Sequence, residues 1–440
     1  MVDGPSGGRV APVIRTQEQK RVVAVYIGSS ALYTLATSII WGVNTLFLLH
    51  AGLDIFQVML VNTTFTIGQI IFEVPTGVVA DTVGRKASLL FGVATLLVAT
   101  LLYVGAAQFG WGMPVFIGAS VLIGLGFTFQ TGAGDAWLVD ALDHAKWEGG
   151  KEPVFAWGGM TFGAAMLAGT IVGGLLGQVN LEWPYYARSA LLAVCFAAIL
   201  IFVRDQGFTP RPLSVSRFGD ETRTILDAGL RYGWRQPVVR ALLFVSLLQG
   251  LFFLYAFYSL QPYFLQLLRQ NLVWVAAAVT AGTSVMGILG NSLVKRVMAG
   301  PGGRRRAGRV LAWLTAAQGV LALGVASVGI FVPTSARGLA AFLLATGLWL
   351  VFGLLMGIGG PVRQSFLNEQ IPSAQRATVL SVDAFFADMG GTAGQPALGY
   401  VAKVASIPVG WAIGAVALLA STPLYLRADR EATVHPSSDA

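Results

Sequence analysis

Long apolar runs separated by short polar segments recur along the whole chain. Twelve can be drawn, most of roughly 17 to 27 residues, the length a helix needs to cross a bilayer. They lie near residues 23–49, 55–80, 87–107, 113–135, 154–179, 189–203, 242–267, 272–294, 310–332, 339–360, 378–401 and 407–425. The sixth is short and is expected to begin earlier, near Tyr185. Only helices or closed barrels satisfy their backbone groups in lipid, and runs this long and continuous mean helices. The pattern therefore predicts an all-α membrane protein with twelve transmembrane helices, here called spans 1 to 12. Residues 22–203 and 241–427 form two pseudo-symmetric six-helix bundles. Around them lie an N-terminal tail (1–21), a central polar loop (204–240) and a C-terminal tail (428–440). Within the central loop Ile225, Gly229, Leu230 and Trp234 recur at helical spacing. This is either a short amphipathic helix on the membrane face or an ordered linker.

Composition agrees with lipid as the solvent. Hydrophobic residues make up 55% of the chain and charged residues only 11%, against roughly 25% charged in soluble domains. The 54 glycines suit helices that approach closely in a membrane. One cysteine, Cys195, excludes an intramolecular disulfide framework and a multi-cysteine metal site. Residues 1–20 are polar and predict no cleavable leader.

The net charge of +8 reflects topology more simply than a nucleic-acid partner. With the N-terminus inside, 25 of the 29 Lys and Arg residues fall in inner segments, and Arg188, Arg269, Arg337 and Lys403 at outer ends. That asymmetry places both termini in the cytoplasm of a cell membrane protein. Span 5 contains "GTIVGGLLG" from Gly169 and span 11 contains "GTAGQPALG" from Gly391. Four of these nine positions match, as in a duplicated six-helix unit with a site between its halves.

The most specific motif closes span 2. In "FEVPTGVVADTVGRK", Phe72 to Lys86, an apolar run carries Glu73 and Pro75 and ends in Gly-x-x-x-Asp-x-x-Gly-Arg-Lys. This resembles the signature between spans 2 and 3 of the major facilitator superfamily. The stretches "TGAGDAWLVD" and "NEQIPSAQRATVLS" are similar to the drug:proton antiporter-like branch. Two departures leave coupling open between antiport and a passive carrier. Span 5 lacks the proline of the antiporter motif, and span 4 carries no arginine. The resemblance implies that span 2 packs on span 11, so that Asp81 meets the start of span 11 near Arg376, while Arg85 pairs with Asp140. Gly77, Asp81, Gly84, Arg85, Lys86 and Asp140 would then latch the inner side shut, or only stabilise a turn within one half.

Glu73 lies two turns inside Asp81, about 12 Å at the helical rise. A charge there is costly and marks a functional site. Asp383 falls at a similar depth on span 11, and two carboxylates side by side can hold one proton near neutral pH. Glu73, alone or with Asp383, is therefore the expected proton-coupling site, with Asp388 and Asp135 as rivals. The alternative for Glu73 is a hydrogen bond to backbone opened by Pro75.

Polar stripes on apolar spans turn inward in lipid. Span 1 carries Tyr33, Thr37, Trp41 and Asn44; span 2 carries Asn62, Thr66 and Gln69; span 7 carries Tyr255, Tyr258 and Gln261. The resemblance implies a central cavity lined by spans 1, 4, 7 and 10, which adds Gln130 and Trp349. Aromatic rings with amides and few charges suit a bulky amphipathic organic solute. At the inner end of span 10, Gly359, Gly360 and Pro361 are expected to loosen the helix. Arg363, Glu369 and Arg376 are candidates for an inner gate.

The three histidines show no metal-ligand spacing, and no phosphate-binding Gly-x-x-x-x-Gly-Lys-Ser/Thr occurs, so neither an enzyme nor an ATP-driven pump is expected. The expectation is a monomeric secondary transporter without cofactor or catalytic residues. Its partners are a small-molecule substrate, protons and the lipid bilayer, with no nucleic acid. Export of an amphipathic compound or drug in exchange for protons leads. Uptake of a small metabolite, or a receptor on a transporter scaffold, are the alternatives.

Overall fold

The apolar runs fold as helices in the computed structural model, which describes residues 16–210, 234–299, 306–372 and 375–434. Helices α1 (Gln17–Ser38) and α2 (Asn44–His50) make span 1, and α3 (Ile55–Thr82) and α4 (Arg85–Phe109) make spans 2 and 3. Span 4 is α5 (Met113–Thr128) with α6 (Ala133–His144); spans 5 and 6 are α7 (Glu152–Val179) and α8 (Trp183–Phe202). The second half holds α9 (Pro237–Leu268), α10 (Val273–Met298), α11 (Ala307–Phe331), α12 (Leu339–Glu369) and α13 (Arg376–Val404). Span 12 is α14 (Ile407–Ala420) with α15 (Thr422–Val434). No strand occurs among the described residues. Ten spans are long and apolar enough to cross a membrane. The other two are spans 1 and 11: the first is broken and starts among charges, and the eleventh carries Asp383, Asp388 and Lys403. Of the central-loop stripe, Ile225, Gly229 and Leu230 lie outside the described residues.

Three spans drawn as continuous are broken, at residues 39–43, 129–132 and 421. The break in span 4 passes through Gly132 at φ +71°, a backbone conformation that favours glycine. Span 10, by contrast, runs unbroken through Pro361. Proline removes one donor but keeps a helical φ, so Gly359-Gly360-Pro361 does not open the helix as expected.

Glycines set the packing and show the duplication. A Cβ at Gly173 of α7 would overlap the Ile39 carbonyl at the end of α1, and one at Gly390 of α13 would overlap the Leu247 carbonyl of α9. Spans 1 and 5 thus pair as spans 7 and 11 do. The matched Gly177 and Gly399 both face the other half: a Cβ at Gly177 would lie 3.3 Å from Val273, and one at Gly399 2.7 Å from Met59. Replacing Gly173 by valine should therefore lower stability by about 1–3 kcal/mol, the usual cost of overpacking. A lower melting temperature of the purified protein checks this, and unchanged melting would contradict it.

Each half has its own apolar core, with Val273 of the second half reaching into that of the first. One contains Val58, Leu96, Leu138 and Leu192 of the first half. Two contain second-half residues, around Phe252 and Trp411 and around Leu242 and Tyr425. Met59 is the first-half residue buried in the Phe252–Trp411 core.

Candidate functional site

Among the described residues, the hydrogen bonds and the ion pair that join the halves lie at one end of the bundle, opposite the loop between α3 and α4. There the Thr45 hydroxyl donates to the Tyr258 carbonyl (2.7 Å), the Gln261 amide to the Trp41 carbonyl (2.8 Å) and the Gln178 amide to the Asn271 carbonyl (3.0 Å). Lys403 of α13 sits 2.9 Å from Asp54, the N-cap of α3. At this far end the halves are closed on each other.

Partial burial pushes the Asp54 carboxyl up, but the Gln57 amide, Lys403 and the Phe56 amide together hold it below its ordinary 3.8. A lowered carboxyl stabilises the closed form above its unpaired value and loses that contribution only as pH falls through the lowered one. Asp54 thus keeps its charge from pH 5 to 8 and gives the far-end clasp no pH signal there. Asp54→Asn keeps a good helix cap and removes the charge. It should raise labelling of a cysteine placed at Met59, which is buried against Gly399 of the other half, by no more than about fivefold, because an exposed pair contributes at most ~1 kcal/mol. The rise should be the same at pH 5.5 and 7.5.

At the opposite end, called here the basic end, the two-three loop is pinned to its own half. Arg85 lies 2.6 Å from Asp81 and 3.8 Å from Asp140 of α6. The Lys86 backbone N–H donates to Asp205 (2.9 Å), and the Lys86 ammonium donates to the Leu200 carbonyl (2.7 Å). Gly84 takes φ +129°, and a Cβ there would overlap the Asp205 carboxylate. Asp205, just beyond span 6, thus completes the loop's contacts; sequence reasoning missed it. Glu73, Pro75 and Gly77 are exposed. A Cβ at Gly77 would meet nothing within 4 Å, so no helix approaches closely there.

Glu73 interacts electrostatically with Asp388 of α13, and not with Asp383 as expected. Neither Glu73 nor Asp388 has a hydrogen-bond or ion-pair partner among the described residues. Glu73 does not bond the backbone near Pro75 as the alternative expected; beside it the Thr76 hydroxyl donates to the Phe72 carbonyl (2.8 Å). Asp383 faces the other way. Arg363 grips it with two N–H groups, at 2.8 and 2.6 Å, and the Ser246 hydroxyl donates to it at 2.6 Å. Arg363 also donates to Ser246 and stands beside the Tyr425 hydroxyl. The five-residue separation of Asp383 and Asp388 is about 140° around the helix, which turns one into the half and the other toward α3. Asp135 is exposed and accepts from the Tyr26 hydroxyl (2.8 Å). Glu369 accepts from Ser365 (3.2 Å), and Arg376 is exposed at the start of α13.

Between the halves lies a cavity of about 430 Å³. Trp41 and Asn44 reach it from the break in span 1, Asn62 and Gln69 from α3, and Tyr258 from α9. Arg188 of α8 also lines it. This arginine was expected at an outer surface but is 1% exposed. Span 6 starts at Trp183, which carries position 188 five residues, about 8 Å, inward. Tyr33, Thr37 and Gln130 line a smaller neighbouring cavity of about 270 Å³. Broken spans at a site between halves are a recurrent feature of secondary transporters. Thr66 is buried and lines neither cavity. Tyr255 donates to the Ile407 carbonyl (3.1 Å), and Trp349 stacks on Phe352 at 4.4 Å, so both belong to the second-half core. Span 10 accordingly contributes no wall to the main cavity. No cluster of metal-ligand type occurs among the described residues.

Residues 26–352 match the family model of the Major Facilitator Superfamily. The chain belongs to that superfamily. It is a multi-pass membrane transporter and not an enzyme. It is 23% identical over 379 residues, 82% of this chain and 86% of the relative, to the class G tetracycline resistance protein of Vibrio anguillarum. The nucleoside transporter NupG superposes with a TM-score of 0.74 at 12% identity, covering 92% of this chain and 98% of that one. A bacterial homologue of the iron transporter ferroportin in an inward-facing state superposes with a TM-score of 0.74 at 13% identity, covering 94% and 100%. At such identities these two structures speak for the fold alone.

Proposed function

We propose that this transporter works by alternating access in the plasma membrane, with both termini cytoplasmic. It exports an amphipathic organic compound in exchange for protons. The observation that carries the reading is the position of the Glu73–Asp388 pair relative to the main cavity. Gln69 lines the cavity, and Glu73 is one turn further along the same face of α3, about 6 Å toward the basic end. Leu254 lines the cavity too, and it packs on Gly391, one turn from Asp388. A proton binding this pair removes a charge beside the path the substrate takes. The far end is closed and the basic end carries the exposed carboxylate, which suits a state open to the cytoplasm. Similarity to a class G tetracycline resistance protein supports a drug as the compound carried. When the basic end closes, Asp81 and Arg85 come to the start of α13 and hold the halves there. Rocking between two such states is a population shift driven by differential binding of proton and substrate.

The test is flux of a fluorescent amphipath into proteoliposomes. At one proton per substrate, a one-unit pH gradient should support about tenfold accumulation, abolished by a protonophore. Equal flux with and without the gradient would leave facilitated diffusion and remove antiport.

A further inference from the structure

We propose that the main cavity is built for an organic anion. Its acidic head group docks on Arg188 and Asn62, and its apolar body lies against Trp41, Phe65 and Phe257. This rests on the transporter reading above and names the substrate class. Arg188 is fully buried, and its Nε and Nη2 groups have no hydrogen-bond partner among the described residues. A guanidinium stays charged in any protein. Its electrostatic neighbours are the hydroxyls of Tyr185, Tyr33 and Tyr103, and no carboxylate among the described residues interacts with it. Glu73, the acid that follows Gln69 on α3, faces Asp388 instead.

The other polar groups of the wall sharpen the preference. Tyr185 donates to the Asn44 side-chain oxygen (2.8 Å), and the Asn44 amide donates to the Asn62 side-chain oxygen (3.0 Å). This relay fixes the Asn62 amide with its NH₂ group unpartnered. Tyr103 and Ser120 satisfy each other. What is left unpartnered on Arg188 and Asn62 is N–H donors, beside a fixed positive charge of low solvent access. The guanidinium fork matches two oxygens of a carboxylate or similar oxyanion. A cationic compound would meet an uncompensated like charge in a poorly screened site.

Three probes with one ring system test this: 2-naphthoate, 2-naphthamide and 2-naphthylmethylammonium. Their binding to the purified full chain is read by quenching of tryptophan fluorescence, to which the cavity-lining Trp41 contributes. Naphthoate should bind at least about tenfold tighter than the amide, and the ammonium weakest. Arg188→Gln should bring naphthoate down to the affinity of naphthamide in the same variant, while Arg188→Lys keeps part of the advantage. Equal affinities, a preference for the ammonium, no binding by any probe, or an advantage that survives Arg188→Gln would each overturn the proposal. If Arg188→Gln does not fold, the ranking in the parent protein and in Arg188→Lys decides. Chloride or inorganic phosphate displacing naphthoate at equal concentration would make the site a counter-ion site and overturn an organic substrate. Flux is scored separately. Charge-selective binding without flux upholds the site and removes the transport reading; flux without charge selectivity does the reverse.

Discussion

Glu73→Gln combined with Asp388→Asn is expected to abolish the response of transport to a pH gradient. Flux down the substrate's own gradient should persist. The two carboxylates, on α3 and α13, interact electrostatically, with no cation or hydrogen-bond donor on either among the described residues. An isolated charge at helix-centre depth costs about 2.5–3.5 kcal/mol on insertion scales, so a pair without compensation is not kept for stability. The amide variants mimic the neutral form permanently and remove the exchange step. Each single variant should lower gradient-driven flux by at least about tenfold, a loss of ~1.4 kcal/mol of coupling. Asp383→Asn should not share this phenotype, because Asp383 is committed to Arg363 and Ser246. Proteoliposome flux at inside pH 6.5 and 7.5 measures all four. If the double variant keeps the full pH response, the pair has no part in coupling.

Much of this was readable from the chain because its signals are local. The runs of apolar residues place the helices, and the two-three loop motif places Arg85 near Asp140. The breaks were partly readable. Thr131-Gly132-Ala133-Gly134 is a glycine-rich stretch where span 4 turns, whereas nothing as clear marks residues 39–43. What the sequence hid is long-range pairing. Periodicity puts Glu73, Asp383 and Asp388 on faces of their own helices but does not say which face meets which neighbour. Arg188 was misplaced for a related reason. A window of apolar residues stops at the first charge, so the run reads from Ser189 and Arg188 falls at an outer end, even with the helix expected from near Tyr185. The helix begins six residues earlier, at Trp183, and carries the arginine inside. Hydropathy reports the average environment of a span. The residues most informative about function are the ones that depart from it.

The halves treat their buried arginines differently, and that contrast fixes the second large effect. In the first half Arg188 is unpaired and faces a cavity. In the second, Arg363 is bound bidentately to Asp383, with Ser246 bridging and the Tyr425 hydroxyl beside them. The ion pair ties α12 to α13, and Ser246 adds α9, so three spans are held at the basic end of one half. Arg363→Ala leaves Asp383 buried and unpaired. Breaking a buried pair this way costs about 3–5 kcal/mol, so the melting temperature should fall by more than for any glycine variant above. Arg363→Met with Asp383→Leu removes both charges and should recover most of that loss, since apolar residues of similar volume often replace a buried pair at little cost. The double variant should also keep its pH-driven flux, because Asp388, the proposed coupling carboxylate of α13, lies on another face of that helix. Melting of Arg363→Ala at the parent temperature would show that the pair contributes nothing to the fold. Loss of pH-driven flux in a stable double variant would move the proton site from Asp388 to Asp383.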